Sequence, residues 1–201
     1  GFWYARRRRL MEKDLRINLL ARVARSVSDP GKPVDPAKPV SILSLTAASY
    51  GARPSEDATV PTGFDPLAVA LFEAIVEGAY LVAHADGVFD EDEKKTFERV
   101  VLAACGGAVA PKQIEGLMSD LGDQLSEDGV DKRVAALART ATKKEHAQEV
   151  LRIAALLAQA SADVSPVERE VLAKIAKACG LEAGEVDSAL DDVKKALASA
   201  E

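Results

Sequence analysis

Asp86, Asp90, Glu91, Asp92 and Glu93 crowd five carboxylates into the stretch Ala85-Asp86-Gly87-Val88-Phe89-Asp90-Glu91-Asp92-Glu93. Two kinds of chemistry suit that pattern. Carboxylates on a turn can gather a hard cation such as Ca²⁺ or Mg²⁺, which takes several oxygen ligands. Carboxylates in the first turn of a helix also offset its unpaired N–H groups, each contributing about 0.3–1 kcal/mol. Gly87 would supply a positive φ or a close backbone approach, while Val88 or Phe89 plugs a core. The loop is not an EF-hand. Val88 stands at the third position, where that loop needs an oxygen ligand, and Phe97 stands where it needs a bidentate glutamate. Spacing leaves the capping and cation readings both open.

The elements that position this loop are a helix ending near Leu81–His84 and a second helix that stops at Cys105-Gly106. A looser copy lies at Leu156–Gly180. Ala83 aligns with Ala158, Ala85 with Ala160, Glu93 with Glu168, Lys94 with Arg169, Phe97 with Leu172, Val100 with Ile175 and Cys105 with Cys179. Such self-similarity marks one supersecondary unit used twice. Two copies are too few for a solenoid, so a pseudo-symmetric helical domain is expected.

Helix signals fill the rest of residues 64–201. Asp65-Pro66 caps and opens the first helix, with Leu67, Leu71, Ile75, Gly78 and Val82 as its stripe. Asp90 with Glu93 forms a capping-box pattern ahead of Phe97, Val100, Val101 and Ala104. Pro111 opens a third helix, broken at Ser126–Gly129. Val130–Ala141 and Lys144–Gln159 follow. Ser165-Pro166-Val167-Glu168 starts the sixth, whose stripe is Leu172, Ile175, Ala176 and Cys179, and Ala183–Ala200 makes the last. No alternating segment argues for a strand. The expected fold is all-α, about seven helices with an internal pseudo-two-fold duplication of a helix-loop-helix unit.

Ahead of this body, residues 1–28 read as a basic arm and residues 29–63 as a Pro-rich, irregular linker. Residues 1–39 hold ten Lys/Arg against four carboxylates, leaving 16 basic against 28 acidic residues beyond them. An acidic body does not favour nucleic acid, and the opposite signs invite the arm to fold back or to reach an anionic surface. Leu15, Leu19, Leu20 and Val23 recur at helical spacing among Arg16, Arg22 and Arg25, which makes a short amphipathic helix. GFWYARRRR suits either the basic flank of a membrane segment or an irregular tail. Pro30, Pro33, Pro36 and Pro39 predict a stiff spacer. Residues 40–63 are expected to be partly ordered at best, with Ile42–Leu45 docked on the body. Two cysteines cannot build a disulfide framework, no signal peptide is visible, and no run approaches the roughly 18 apolar residues of a membrane span. The chain reads as cytoplasmic.

Ala85-Asp86-Gly87-x-Phe89-x-x-x-Glu93, preceded by a small-residue helix and followed by a degraded copy, resembles the tellurite-resistance TerB-like family over about Leu67 to Ala198. The resemblance implies a bacterial, non-enzymatic scaffold or sensor in stress responses to tellurite, phage or envelope insult. It also implies a protein partner, a membrane-associated assembly and acidic positions that hold a divalent cation (Ca²⁺, Mg²⁺ or Mn²⁺). Carried over by position, Asp86, Gly87, Asp90 and Glu93 match the first motif. In the second copy Glu168 matches, Ser161 replaces the aspartate, Ala162 replaces the glycine and Asp163 is displaced. The expected metal set is therefore Asp86, Asp90 and Glu93, completed by Glu168 or Asp163 across the pseudo-two-fold. The rival is a cation-independent, acidic protein–protein interaction module.

Other residues offer less. His84 could join a metal site but suits a helix-end cap or a surface position, and His146 sits among charges. Cys105 and Cys179, each before a glycine, suit small buried side chains with a glycine C-cap rather than redox chemistry. No Gly-rich phosphate loop, Cys-x-x-Cys or nucleophile–His–acid pattern is present in the sequence.

Overall fold

A computed structural model describes residues 2–26, 41–52, 65–87, 89–160 and 163–200. Every regular element among these residues is an α-helix: α1 (Phe2–Arg25), α2 (Ile42–Gly51), α3 (Pro66–Ala83), α4 (Glu91–Ala104), α5 (Pro111–Asp128), α6 (Val130–Thr140), α7 (Lys144–Ala158), α8 (Pro166–Ala178) and α9 (Glu185–Ala200). The described helices number nine rather than about seven. The additional two, α1 and α2, come from the residues ahead of the expected helical body.

The centre of the bundle is α3. Its first turn is fixed by Asp65, whose Oδ1 accepts the Leu67 N–H at 2.9 Å, with Pro66 at the first position where no N–H is needed. Between Leu71 and Val82 every residue but Glu73 is buried, under α2, α6, α7 and α8. Leu67, expected in the buried stripe, is instead 80% exposed, because it precedes the point where the neighbours close over α3. By length and composition α3 could cross a membrane, contrary to the expectation from sequence. With 67% of it buried inside the protein, it serves as the core helix. Gly78 sets its closest approach to α7: a Cβ there would sit 2.7 Å from Val150 Cγ1.

The arm folds back. It forms a helix of 24 residues rather than a short one, and Ile17, Leu20, Ala21, Val23 and Ala24 are buried against α4, α9, α7 and α2. Polar contacts fix the register. Asp14 meets Arg99 at 2.6 Å, Arg16 donates to the Gln159 carbonyl at 3.3 Å and Arg22 to the Ala200 carbonyl at 3.2 Å. The stretch 40–63, expected to be partly ordered at best, contains α2. Ser41 caps it, and Leu43, Ala47 and Tyr50 are buried, Tyr50 stacking on Phe72 at 4.7 Å. The four linker prolines lie outside the described residues.

One pair on α7 joins these extensions to the body. Glu149 accepts the Leu43 N–H at the start of α2 at 2.9 Å and Arg152 Nε at 2.5 Å. Arg152 in turn donates to the Val23 and Ala24 carbonyls at the end of α1, at 3.1 and 2.8 Å. Orphan groups at two helix ends are thereby satisfied by one ion pair.

Candidate acidic groove

The acidic loop is built from its anchors outward. α3 ends at His84, and the turn that follows brings the Gly87 N–H to the His84 carbonyl at 3.0 Å, with Gly87 at φ +78°. Phe89 then returns to the core. Its ring packs edge-on against Tyr80 at 5.7 Å and Phe97 at 5.9 Å, and lies 4.7 Å from the His84 ring. Held by this aromatic cluster, Asp90 caps α4. Its Oδ1 accepts the Glu93 N–H at 2.8 Å, and Glu93 Oε2 accepts the Asp90 N–H at 3.0 Å. The capping box expected from sequence thus takes one oxygen from each of these carboxylates. Val88 lies outside the described residues.

The second loop ends in the same device. Ser165 accepts the Glu168 N–H at 3.2 Å, and Glu168 Oε1 accepts the Ser165 N–H at 3.1 Å. Both following helices finish at a cysteine C-cap and a left-handed glycine, Gly106 (φ +60°) and Gly180 (φ +74°). Ser161 and Ala162 lie outside the described residues.

Asp86, Asp90, Glu93 and Glu168 line one groove of about 290 Å³, together with Asp92. Phe89, Phe97, Val100 and Leu157 give it an apolar floor, and Lys13 of α1 stands at its edge. Asp163 does not join them; it lines a neighbouring cavity with Arg16 and Arg169. Asp86, Asp90 and Glu93 are exposed and Glu168 is half-buried. Among the described residues, no three His, Cys, Asp or Glu side chains converge closely enough to hold a metal ion. Capping engages one carboxylate oxygen each of Asp90, Glu93 and Glu168.

His84 is the C-cap of α3, and its Nε2 is buried without a hydrogen-bond partner among the described residues. Its pKa is lowered, first by burial and then by Lys94. Cys105 is buried, which pushes its thiol up to about 12 against the pull of Arg25. Burial raises Cys179 as well. Neither thiol has the depressed pKa that reactive cysteines show.

Sequence reasoning missed the buried charges. Glu77 accepts from Arg133 Nε and Nη2 at 3.0 Å each, and Arg133 Nη1 reaches Asp128 at 3.0 Å. This triad lies beside a polar cavity of about 340 Å³ lined also by Glu73, Asp120 and Gln124. The available signal was Glu77 itself, a charge inside the apolar run Ala74-Ile75-Val76-Glu77-Gly78-Ala79.

Fold and groove together define an all-helical module wrapped around one apolar helix, with its acidic surface at a helix-loop-helix bend. The chain belongs to the TerB family: the family model described as tellurite resistance protein TerB matches residues 72–191, from within α3 to within α9. Neither curated proteins nor solved structures provide a match.

Proposed function

We propose that this chain is a non-enzymatic scaffold or sensor module of the tellurite-resistance type, acting in bacterial stress responses from the cytoplasm at the periphery of the inner membrane. Its working surface is the acidic groove. The observation that carries this reading is that carboxylates from both loops, Asp86, Asp90 and Glu93 from one and Glu168 from the other, line a single groove with an apolar floor. A basic, amphipathic segment of a protein partner suits that combination, with cationic side chains on the rim and apolar ones on Phe89 and Phe97. Matching capping boxes and cysteine–glycine ends support reading α3–α4 and α7–α8 as two copies of one unit.

A divalent cation is the second reading, because the four residues expected to bind Ca²⁺, Mg²⁺ or Mn²⁺ do line one groove. Binding would require their side chains to leave the arrangement described above. Two titrations separate the readings. A synthetic Lys/Leu amphipathic peptide is titrated into the wild type and into Asp86→Asn/Glu93→Gln/Glu168→Gln, in which glutamine preserves both capping boxes. A tenfold or larger weakening in the variant is expected, and equal affinity refutes the partner groove. Calorimetry with Ca²⁺, Mg²⁺ and Mn²⁺ on the wild type and Asp86→Asn tests the cation: flat traces from both remove it, and heat from the wild type alone establishes it.

A further inference from the structure

Only the second half of α1 is held in the bundle. Ile17 is the first buried residue of the helix, whereas every residue from Tyr4 to Leu15 is exposed. With Lys13 lining the groove and Asp14 paired to Arg99, the residues ahead of them, about two and a half helical turns from Tyr4 to Glu12, carry the chain outward from the body. On this projection lie Arg6, Arg7, Arg8 and Arg9. Successive helical residues point about 100° apart, so four in a row fall on four sides of the helix. They make a basic collar, not a basic face. Glu12 meets Arg8 at 3.3 Å with both side chains well exposed, and Asp14 is engaged with Arg99 of the body. Tyr4, Leu10, Met11 and Leu15 are exposed apolar residues of the same segment, at 78%, 55%, 59% and 67%.

We propose that α1 meets an anionic phospholipid leaflet end-on, with the Arg6–Arg9 collar at the level of the headgroup phosphates. A helix that lies flat on a leaflet needs an apolar face opposite a charged one, and a collar charged on all sides provides neither. Set along the membrane normal, the same collar places every guanidinium among phosphates, which guanidinium groups bind bidentately. The sequence beyond the collar, Phe2-Trp3-Tyr4, is of the aromatic type found at membrane interfaces. Charge distribution sets the polarity: the acidic body is kept on the water side while the basic end turns to the leaflet. These residues lie ahead of the family-matched segment, residues 72–191. Lys13 at the edge of the groove is four residues past Arg9, about 6 Å along the axis. A leaflet-bound molecule would hold the groove close beneath the headgroups. The lipid contact stands independently of what the groove binds.

The test uses the chain as it is. Flotation with phosphatidylcholine vesicles, with and without phosphatidylglycerol, is measured for the wild type and for Arg6→Gln/Arg7→Gln/Arg8→Gln/Arg9→Gln. Emission from Trp3, the only tryptophan, reports contact with the interface. Binding to the anionic vesicles alone is expected, weakening with salt and accompanied by a blue shift of Trp3. The quadruple variant should bind roughly a hundredfold or more weakly, with unchanged circular dichroism because its replaced side chains are exposed. Equal binding to neutral vesicles, an undiminished quadruple variant, or tighter binding to duplex DNA or RNA at the same salt would each overturn the proposal.

Discussion

Glu77 of α3 and Arg133 of α6 face each other inside the bundle, both carboxylate oxygens 3.0 Å from guanidinium nitrogens, with Glu77 only 4% exposed. Burial lifts the Glu77 carboxyl above its ordinary range, and the guanidinium draws it back. A buried pair of this kind is hard to break from one side. Arg133→Met should destabilise the protein by about 3–5 kcal/mol, because an unpaired carboxylate stays behind. Glu77→Leu/Arg133→Met should recover most of that loss. Urea unfolding of the three proteins measures it, and a double variant as weak as the single one would show that the pair adds net stability beyond charge compensation.

Two glycines permit close approaches, Gly78 between α3 and α7 and Gly51 between α2 and the loop after α4. Gly78→Ala brings a Cβ to 2.7 Å from Val150 Cγ1, a side-chain atom that can give way in part. Gly51→Ala overlaps the backbone carbonyl of Ala108, which cannot rotate aside. Overpacking costs about 1–3 kcal/mol, so Gly78→Ala should fall within that range and Gly51→Ala at or above its top. Thermal melts should rank Gly51→Ala below Gly78→Ala; the reverse order would contradict the close approach of Gly51 to the Ala108 carbonyl.

Local signals and non-local ones fared differently between sequence and structure. The capping boxes at Asp90/Glu93 and Ser165/Glu168 were legible because both partners sit three residues apart. The stripe Phe97, Val100, Val101 and Ala104 is buried as its spacing predicts. α1 was read only in part: Leu20 and Val23 are buried, but Leu15 is 67% exposed, since which turns are covered depends on where α4 and α9 lie. Nothing local in Ile42–Gly51 announces that Glu149, 106 positions after Leu43, accepts the Leu43 N–H. The groove was half legible. Asp86, Asp90 and Glu93 are neighbours in sequence, whereas Glu168 could be placed beside them only through the resemblance between the two segments.

Arg152 ties the extensions to the body through side-chain charge. Arg152→Ala leaves the Val23 and Ala24 carbonyls and the Glu149 carboxylate without that donor. Loss of one partner from a buried pair predicts destabilisation of about 3–5 kcal/mol. Limited proteolysis should then cut between α1 and α2 and release α1 well before the body is degraded. Release at the wild-type rate would mean that apolar packing of α1 suffices.

Thiol labelling checks the burial of the two cysteines. With its pKa near 12, raised from 9.0, Cys105 stays protonated across the range where free thiols react. Folding is favoured by this group below about pH 9 and loses that contribution as pH rises through 12. Iodoacetamide should modify half-buried Cys179 first, while the Cys105 rate in folded protein keeps climbing beyond pH 10 without a plateau. A plateau near pH 9 would place Cys105 in water.

Trimming the polypeptide to the segment that the family model matches would remove structure the fold depends on. A fragment spanning residues 72–191 would keep Arg152 and Glu149 but lose the helix ends they serve, and would bare the sides of α4 and α7 that α1 covers. Fusions and expression fragments should begin upstream of Ile17, with the flanking helices retained as part of the folding unit.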